Sequence, residues 1–129
     1  MIDWNEIKSQ IENIEKLRKL DKQATARLLA EFPGIPSDYI SFLEEIGCGN
    51  LGSIHIYSGP ALCSSIYPER VLEQLSSIVL FADDMQGYCF GFDKANEYRL
   101  VEVDPKGTPR ISSLKRDFSG LLKFYLSEE

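Results

Sequence analysis

The stretch Ile78-Val79-Leu80-Phe81-Ala82-Asp83-Asp84-Met85-Gln86-Gly87-Tyr88-Cys89-Phe90-Gly91-Phe92-Asp93 decides the fold. Ile78 to Ala82 is a continuous apolar run, the pattern of a strand buried on both faces. Asp83 to Gly87 carries turn residues. Tyr88 to Phe92 alternates, with Tyr88, Phe90 and Phe92 on one side. Downstream, Asp93 to Glu97 reads as a turn and Tyr98 to Val103 as the next strand. In that strand Leu100 and Tyr98 face one way and Val101 and Val103 the other. Asp104-Pro105-Lys106-Gly107 is a strong turn signal, and a short strand over 109–112 closes a meander. Upstream, Ser53 to Ser58 alternates as a strand, 60–68 is irregular around Pro60 and Pro68, and Glu69 to Leu75 is a short helix.

Helices flank this meander. Ile7, Ile11, Ile14, Leu17 and Leu20 recur at spacings of four and three, one apolar stripe of a first helix. Asp3 and Glu6 make a capping-box-like start. Residues 24–32 form a further helical turn ended by Pro33-Gly34. Ser37 caps a helix carrying Tyr39, Phe42, Leu43 and Ile46, and Gly47 stops it. Gly47-Cys48-Gly49-Asn50-Leu51-Gly52 is then a turn. It lacks the Gly-Lys-Ser/Thr entry into a helix that a phosphate-binding loop needs. Phe118, Leu121, Leu122, Tyr125 and Leu126 make a last amphipathic helix. Helices, an antiparallel meander and a final helix predict an α+β fold, one domain over 1–129, with helices covering one sheet face.

The chain has 129 residues, 26% charged and 43% hydrophobic, with a net charge of −6. That balance disfavours direct nucleic-acid binding. Residues 37–104 hold eleven acidic groups against Arg70, Lys94 and Arg99, while 1–36 is neutral and 105–129 is net basic. A concentrated negative field steers cationic partners. No apolar run approaches the roughly 20 residues of a membrane helix. Met1-Ile2-Asp3-Trp4-Asn5-Glu6 lacks the basic start of a signal peptide. Cys48, Cys63 and Cys89 match no zinc spacing and read as buried free thiols. The expected location is cytoplasmic, with no membrane partner.

Catalytic signals are sparse. His55 is the single histidine, and it sits mid-strand between two isoleucines, not in a triad context. Asp83, Asp84 and Asp93 follow strands, but adjacent residues leaving a strand point to opposite sides, so Asp83 and Asp84 do not easily share an ion. Asp93-Lys94-Ala95-Asn96-Glu97 lacks the ligand alternation and glycine of a calcium loop. A glycosidase-like carboxylate pair stays open, because sequence carries no separation. The aromatic row resembles a base-stacking platform, but in acidic surroundings it reads as a core face.

Three motifs, in order, carry a family resemblance. Ile35-Pro36-Ser37-Asp38-Tyr39-Ile40-Ser41-Phe42-Leu43 is similar to the proline-started second helix of the SUKH superfamily, which groups bacterial toxin-immunity proteins with a yeast cell-wall assembly regulator. Phe81 to Asp93 is similar to its strand–turn–strand segment. Asp117-Phe118-Ser119-Gly120-Leu121-Leu122 is similar to its last helix. One departure is in the turn: members often carry a glycine and an acidic residue directly before the aromatic strand, and here Met85-Gln86 intervene and only Gly87 remains.

The resemblance implies a SUKH-like fold and a non-enzymatic immunity or antitoxin-type protein without cofactor or metal. It would neutralise a cognate toxin, typically a nuclease, whose phosphate-facing surface is basic. Candidate contact residues are Glu44, Glu45, Asp83, Asp84, Asp93 and Glu97, expected to be exposed in helix ends and turns. Alternatives are a regulatory protein-binding scaffold of the same family, or a small carboxylate enzyme using Asp83, Asp84 or Asp93. The non-enzymatic reading predicts no specific divalent-metal binding. Calorimetry checks this, and a tight site lost in Asp84→Ala would favour the enzyme instead.

Overall fold

The computed structural model describes residues 3–11, 14–111 and 117–126. Strands β1 (Gly49–Leu51), β2 (Ile54–Leu62), β3 (Ile78–Asp83), β4 (Cys89–Asp93), β5 (Arg99–Val103) and β6 (Pro109–Arg110) form one antiparallel sheet in chain order. Helices α1 (Trp4–Ser9), α2 (Lys22–Glu31), α3 (Ser37–Glu45) and α4 (Phe118–Leu126) accompany it, with shorter 3-10 turns between. The fold is α+β, as the patterning predicts. Among the described residues, no helix is long and apolar enough to cross a membrane.

Period-two alternation divides the sheet residues between two cores. Val79, Phe81, Phe90, Phe92 and Leu100 pack on the helical side, against Tyr39, Phe42, Phe118 and Leu122. Ile78, Leu80, Cys89, Val101 and Val103 pack on the other side, against Cys63, Tyr67 and Leu75. The segment containing the 3-10 turns Cys63–Ser65 and Glu69–Leu75 therefore covers the outer face. This corrects the expectation of helices on one face alone. Val101 and Val103 are apolar on the outer side, and they need that cover.

Aromatic rings join sheet to helices. Phe81 stacks on Phe92 at 4.5 Å, and Tyr39 from α3 lies 5.4 Å from each, tilted to Phe81 and edge-on to Phe92. Phe118 from α4 touches Tyr39, Phe42 and Phe81 at 5.3–5.5 Å. Such pairs contribute about 0.5–1.5 kcal/mol each beyond area burial. The Tyr39 hydroxyl lies inside this cluster with no hydrogen-bond partner among the described residues.

Several local expectations need correction. The first apolar stripe is not one helix: α1 ends at Ser9, and Ile14–Lys16 is a separate 3-10 turn, with 12 and 13 outside the described residues. Arg18 exchanges backbone hydrogen bonds with Cys48, and the Leu20 amide donates to the Leu43 carbonyl. Groups committed to those partners are not available to a continuous helix. The stripe still packs, with Ile7 and Ile11 buried and Leu17 and Leu20 against the core. Ser37 is the first helical residue, not a cap: Pro36 holds the cap position without a side-chain bond.

The glycine-rich turn after α3 contains β1, paired antiparallel to β2. β2 runs on to Leu62, past Pro60, because its register slips between Ile56 and Ala61. A bulge is where a strand tolerates the missing proline donor. The strand expected over 109–112 is seen as Pro109–Arg110, and residue 112 lies outside the described residues. Two glycines are required by close approach. At Gly47 (φ 111°) a Cβ would fall 2.5 Å from the Arg18 carbonyl oxygen, and at Gly91 it would fall 2.5 Å from that of Val79.

Two substitutions test this core by chemical denaturation. Leu122→Ala removes a buried side chain and should cost about 2–5 kcal/mol. Tyr39→Phe removes only an unpartnered hydroxyl, so its stability should match or exceed wild type. A clear loss in Tyr39→Phe would mean the hydroxyl has a partner.

Candidate functional site

The outer face of the sheet collects polar side chains in one row, and a bulge in β3 puts them there. Leu80 pairs with Gly91 and Ala82 with Phe90, so Phe81 is one residue extra. Two successive residues then share the helical side, and every later side chain is re-aimed. Asp83 thereby faces outward. His55 pairs with Asn50 on one side and Asp83 on the other, Asp83 pairs with Cys89, and Cys89 with Val103. Directly paired residues point to the same face, so Asn50, His55, Asp83 and Cys89 stand side by side.

Hydrogen bonds fix the row. The Tyr57 hydroxyl donates to Asp83 Oδ2 at 2.7 Å, and the Met85 amide donates to Oδ1 at 2.9 Å. His55 Nδ1 meets Asn50 Oδ1, and its ring lies 5.8 Å from that of Tyr57. Asp84 turns the other way, and its Oδ1 accepts from the Gln86 and Tyr88 amides. Tyr67 donates to the Val103 and Asp104 carbonyls.

Burial sets the chemistry of this face. It pushes the Cys63 thiol up to about 11, with the neighbouring Cys89 adding to the shift. It also raises Cys89, with the nearby Tyr67 and Tyr57 hydroxyls opposing the shift and Asp83 and Asp84 adding to it. Tyr57 is raised by burial and by its bond to Asp83. At neutral pH these thiols and phenols stay protonated, and a thiol is a poor nucleophile. Above them opens a concavity of about 460 Å³, lined mostly by apolar surface from Ala61, Ile66, Met85 and neighbours, with Asp83 and Tyr57 in its wall. Among the described residues, no group of three or more His, Cys, Asp or Glu is placed to hold a metal ion.

The six carboxylates expected to form one acidic face lie in three places. Glu44 accepts from the Thr25 hydroxyl and from Lys22 Nζ at 2.9 Å, and these bonds hold its carboxyl below the usual range. Glu45 is exposed and 3.8 Å from Lys8. Both sit at the end of α3. Asp83 and Asp84 lie at the β3–β4 turn. Asp93 and Glu97 lie at the opposite end of β4, about 14 Å away by strand rise.

Asp93 contradicts the expectation of exposure. It is 8% exposed, and its carboxylate accepts from Ser77 Oγ at 2.6 Å, Asn96 Nδ2 at 2.7 Å and the Ala95 amide. It organises the β4–β5 turn and is not presented to a partner. Glu44, Asp83 and Asp84 are half-buried; Glu45 and Glu97 are exposed. Glu97 occupies the left-handed region at φ 58°.

Carboxylates that do converge were not singled out by the charge count. Asp3, Glu6, Asp38 and Asp117 line a second concavity of about 470 Å³, with Lys123 beside them. They come from segments that are neutral or basic in sum, apart from Asp38. Each stands at the start of α1, α3 or α4, where acidic residues offset the helix dipole. Asp3 receives the Asn5 and Glu6 amides, and Asp117 that of Gly120. Capping thus accounts for Asp3 and Asp117.

No family model, curated protein or solved structure matches this chain.

The Asp93 site predicts a pH dependence. Burial raises its pKa, but the bonds from Ser77, Asn96 and Ala95, with Arg99 nearby, outweigh that and hold it below the normal aspartate value. A carboxyl depressed in the folded state contributes stability that is present above its unfolded pKa, about 3.9, and is lost as pH falls through the lower folded value. Asp93→Asn should therefore be less stable than wild type at neutral pH, with the gap closing as pH falls below about 4. Denaturation at several pH values measures it.

Proposed function

We propose that this chain is a non-enzymatic, immunity-type protein that binds and neutralises a cognate toxin, most consistent with a nuclease, as the SUKH resemblance implies. The observation that carries the reading is uncompensated negative charge. Asp83, Asp84 and Glu97 make no ion pair with a described residue, while the ion pairs among the described residues engage Glu44, Glu45 and Glu102. In 37–104 the acidic excess is large, and its cations Arg70, Lys94 and Arg99 are exposed, not spent on these carboxylates. A toxin that grips phosphates presents a basic face, and a negative surface both attracts and occludes it. The protonated thiols and phenols of the outer face support binding over nucleophilic chemistry.

The division of the carboxylates refines which of them act. Asp93 belongs to the turn, and Glu44 is engaged with α2. Glu45, Asp84 and Glu97 are the members of the original set that can change charge without dismantling a buried network. In the variant Glu45→Lys/Asp84→Asn/Glu97→Lys, the side-chain amide introduced by Asp84→Asn keeps an oxygen to cap the turn.

Association with a cognate toxin, sought first among the reading frames adjacent to this gene and followed against ionic strength, tests the reading. Wild type should associate faster at low salt by about tenfold or more, with a steeper salt slope, and should protect a toxin-expressing cell better. Equal rates, equal slopes and equal protection would sink the acidic-surface mechanism.

A further inference from the structure

We infer that the outer-face concavity is a socket for one basic side chain, arginine or lysine, presented by a protein partner. It rests on the preceding reading only in taking the partner to be a protein with a basic surface. The juxtaposition that carries it is an apolar wall beside a half-buried, cation-free carboxylate.

The apolar part is unusual for a solvent-facing position. Met85 is 51% exposed and Ile66 45%, and both line the same 460 Å³ concavity with Ala61. Large exposed apolar side chains beside a hollow are the usual mark of a contact surface. Met85 is also held in place: it has φ 62°, and its amide is tied to Asp83 Oδ1. A non-glycine residue persists in that region when its surroundings impose it. The methionine side chain is soft enough to mould around an aliphatic stem.

The polar part selects a cation. Asp83 contributes the carboxylate of the lining named above, and its oxygens each receive one internal donor, from Tyr57 and Met85. A carboxylate accepts about four hydrogen bonds, so acceptor capacity remains on both oxygens. No lysine or arginine lines the concavity among the described residues. The Tyr57 ring adds an aromatic wall beside the carboxylate, which also attracts a cation. Arginine and lysine combine an apolar stem with a cationic head, and each half finds its counterpart here. A wholly apolar guest would leave Asp83 desolvated and unpaired, and a small inorganic cation would leave the Met85–Ile66 wall unused.

The test uses the full chain and two isosteric probes, n-butylguanidinium and neutral n-butylurea, followed by NMR of the Met85 methyl and the Gly87 and Cys89 amides. Butylguanidinium should give saturable shifts with a dissociation constant on the order of millimolar, and butylurea should bind about tenfold more weakly. Asp83→Asn should remove that preference; Tyr57 can reverse its hydroxyl to accept from the new amide, so the turn survives. Met85→Ser should weaken butylguanidinium while leaving the Asp83 side chain in place. Absence of saturable shifts, or equal binding of the two probes, would overturn the socket. The peptide acetyl-Gly-Arg-Gly-amide should shift the same signals, and lose that effect in Asp83→Asn; no shift with the peptide where butylguanidinium binds would overturn a protein as the source of the cation. Failure of the acidic-surface mechanism is read separately, from the Glu45, Asp84 and Glu97 variant, whose positions lie outside the concavity.

Discussion

Phe81 is the side chain on which both faces of this molecule depend. Its ring lies on Phe92 at 4.5 Å and meets Phe118 edge-on and Tyr39 at a tilt, so β3, β4, α3 and α4 share one contact. Keeping that ring on the helical side while Ala82 also faces the helices requires the extra residue in β3. The bulge is thus the backbone consequence of an aromatic packing demand. Gly91, paired to Leu80 beside the bulge, has no room for a Cβ because the Val79 carbonyl oxygen crowds it.

The same bulge decides what the other face displays. Strict alternation from Val79 and Phe81 would have sent Asp83 into the helical core, where an unpaired carboxylate is costly. The extra residue sends it outward instead, into register with His55 and Cys89 and within reach of Tyr57. Core packing and surface chemistry are coupled through one residue of backbone. The segment 63–75 then closes over the apolar remainder of that face and leaves the concavity at its margin.

Charge on this protein does two different jobs that composition does not separate. Asp93, Asp3 and Asp117 spend carboxylate oxygens on backbone amides of turns and helix starts. Asp83, Asp84 and Glu97 make no ion pair with a described residue, Asp84 while also capping its turn. The first group holds the chain in shape; the second sets the negative field at the surface.

The amino-acid sequence determined the element types and their order: apolar periodicity places α3, α4 and the β3–β4–β5 meander near their observed positions, and Phe42, Leu43, Phe90, Phe92, Phe118 and Leu122 in the core. Local signals of period two and period 3.6 suffice for that, because they report which side of an element must be buried. They overran where backbone groups were claimed from far away, as Cys48 claims Arg18 and Leu43 claims Leu20, which keeps that end of the apolar stripe out of a helix. Which carboxylates are free, which are buried, and which side chains stand together on the outer face were decided only by tertiary structure. Asp83 and Asp93 look alike as turn aspartates after strands. What distinguishes them is a bulge at Phe81 and the partners Ser77 and Asn96, and neither register shifts nor side-chain donors brought in by the fold leave a periodic trace in sequence.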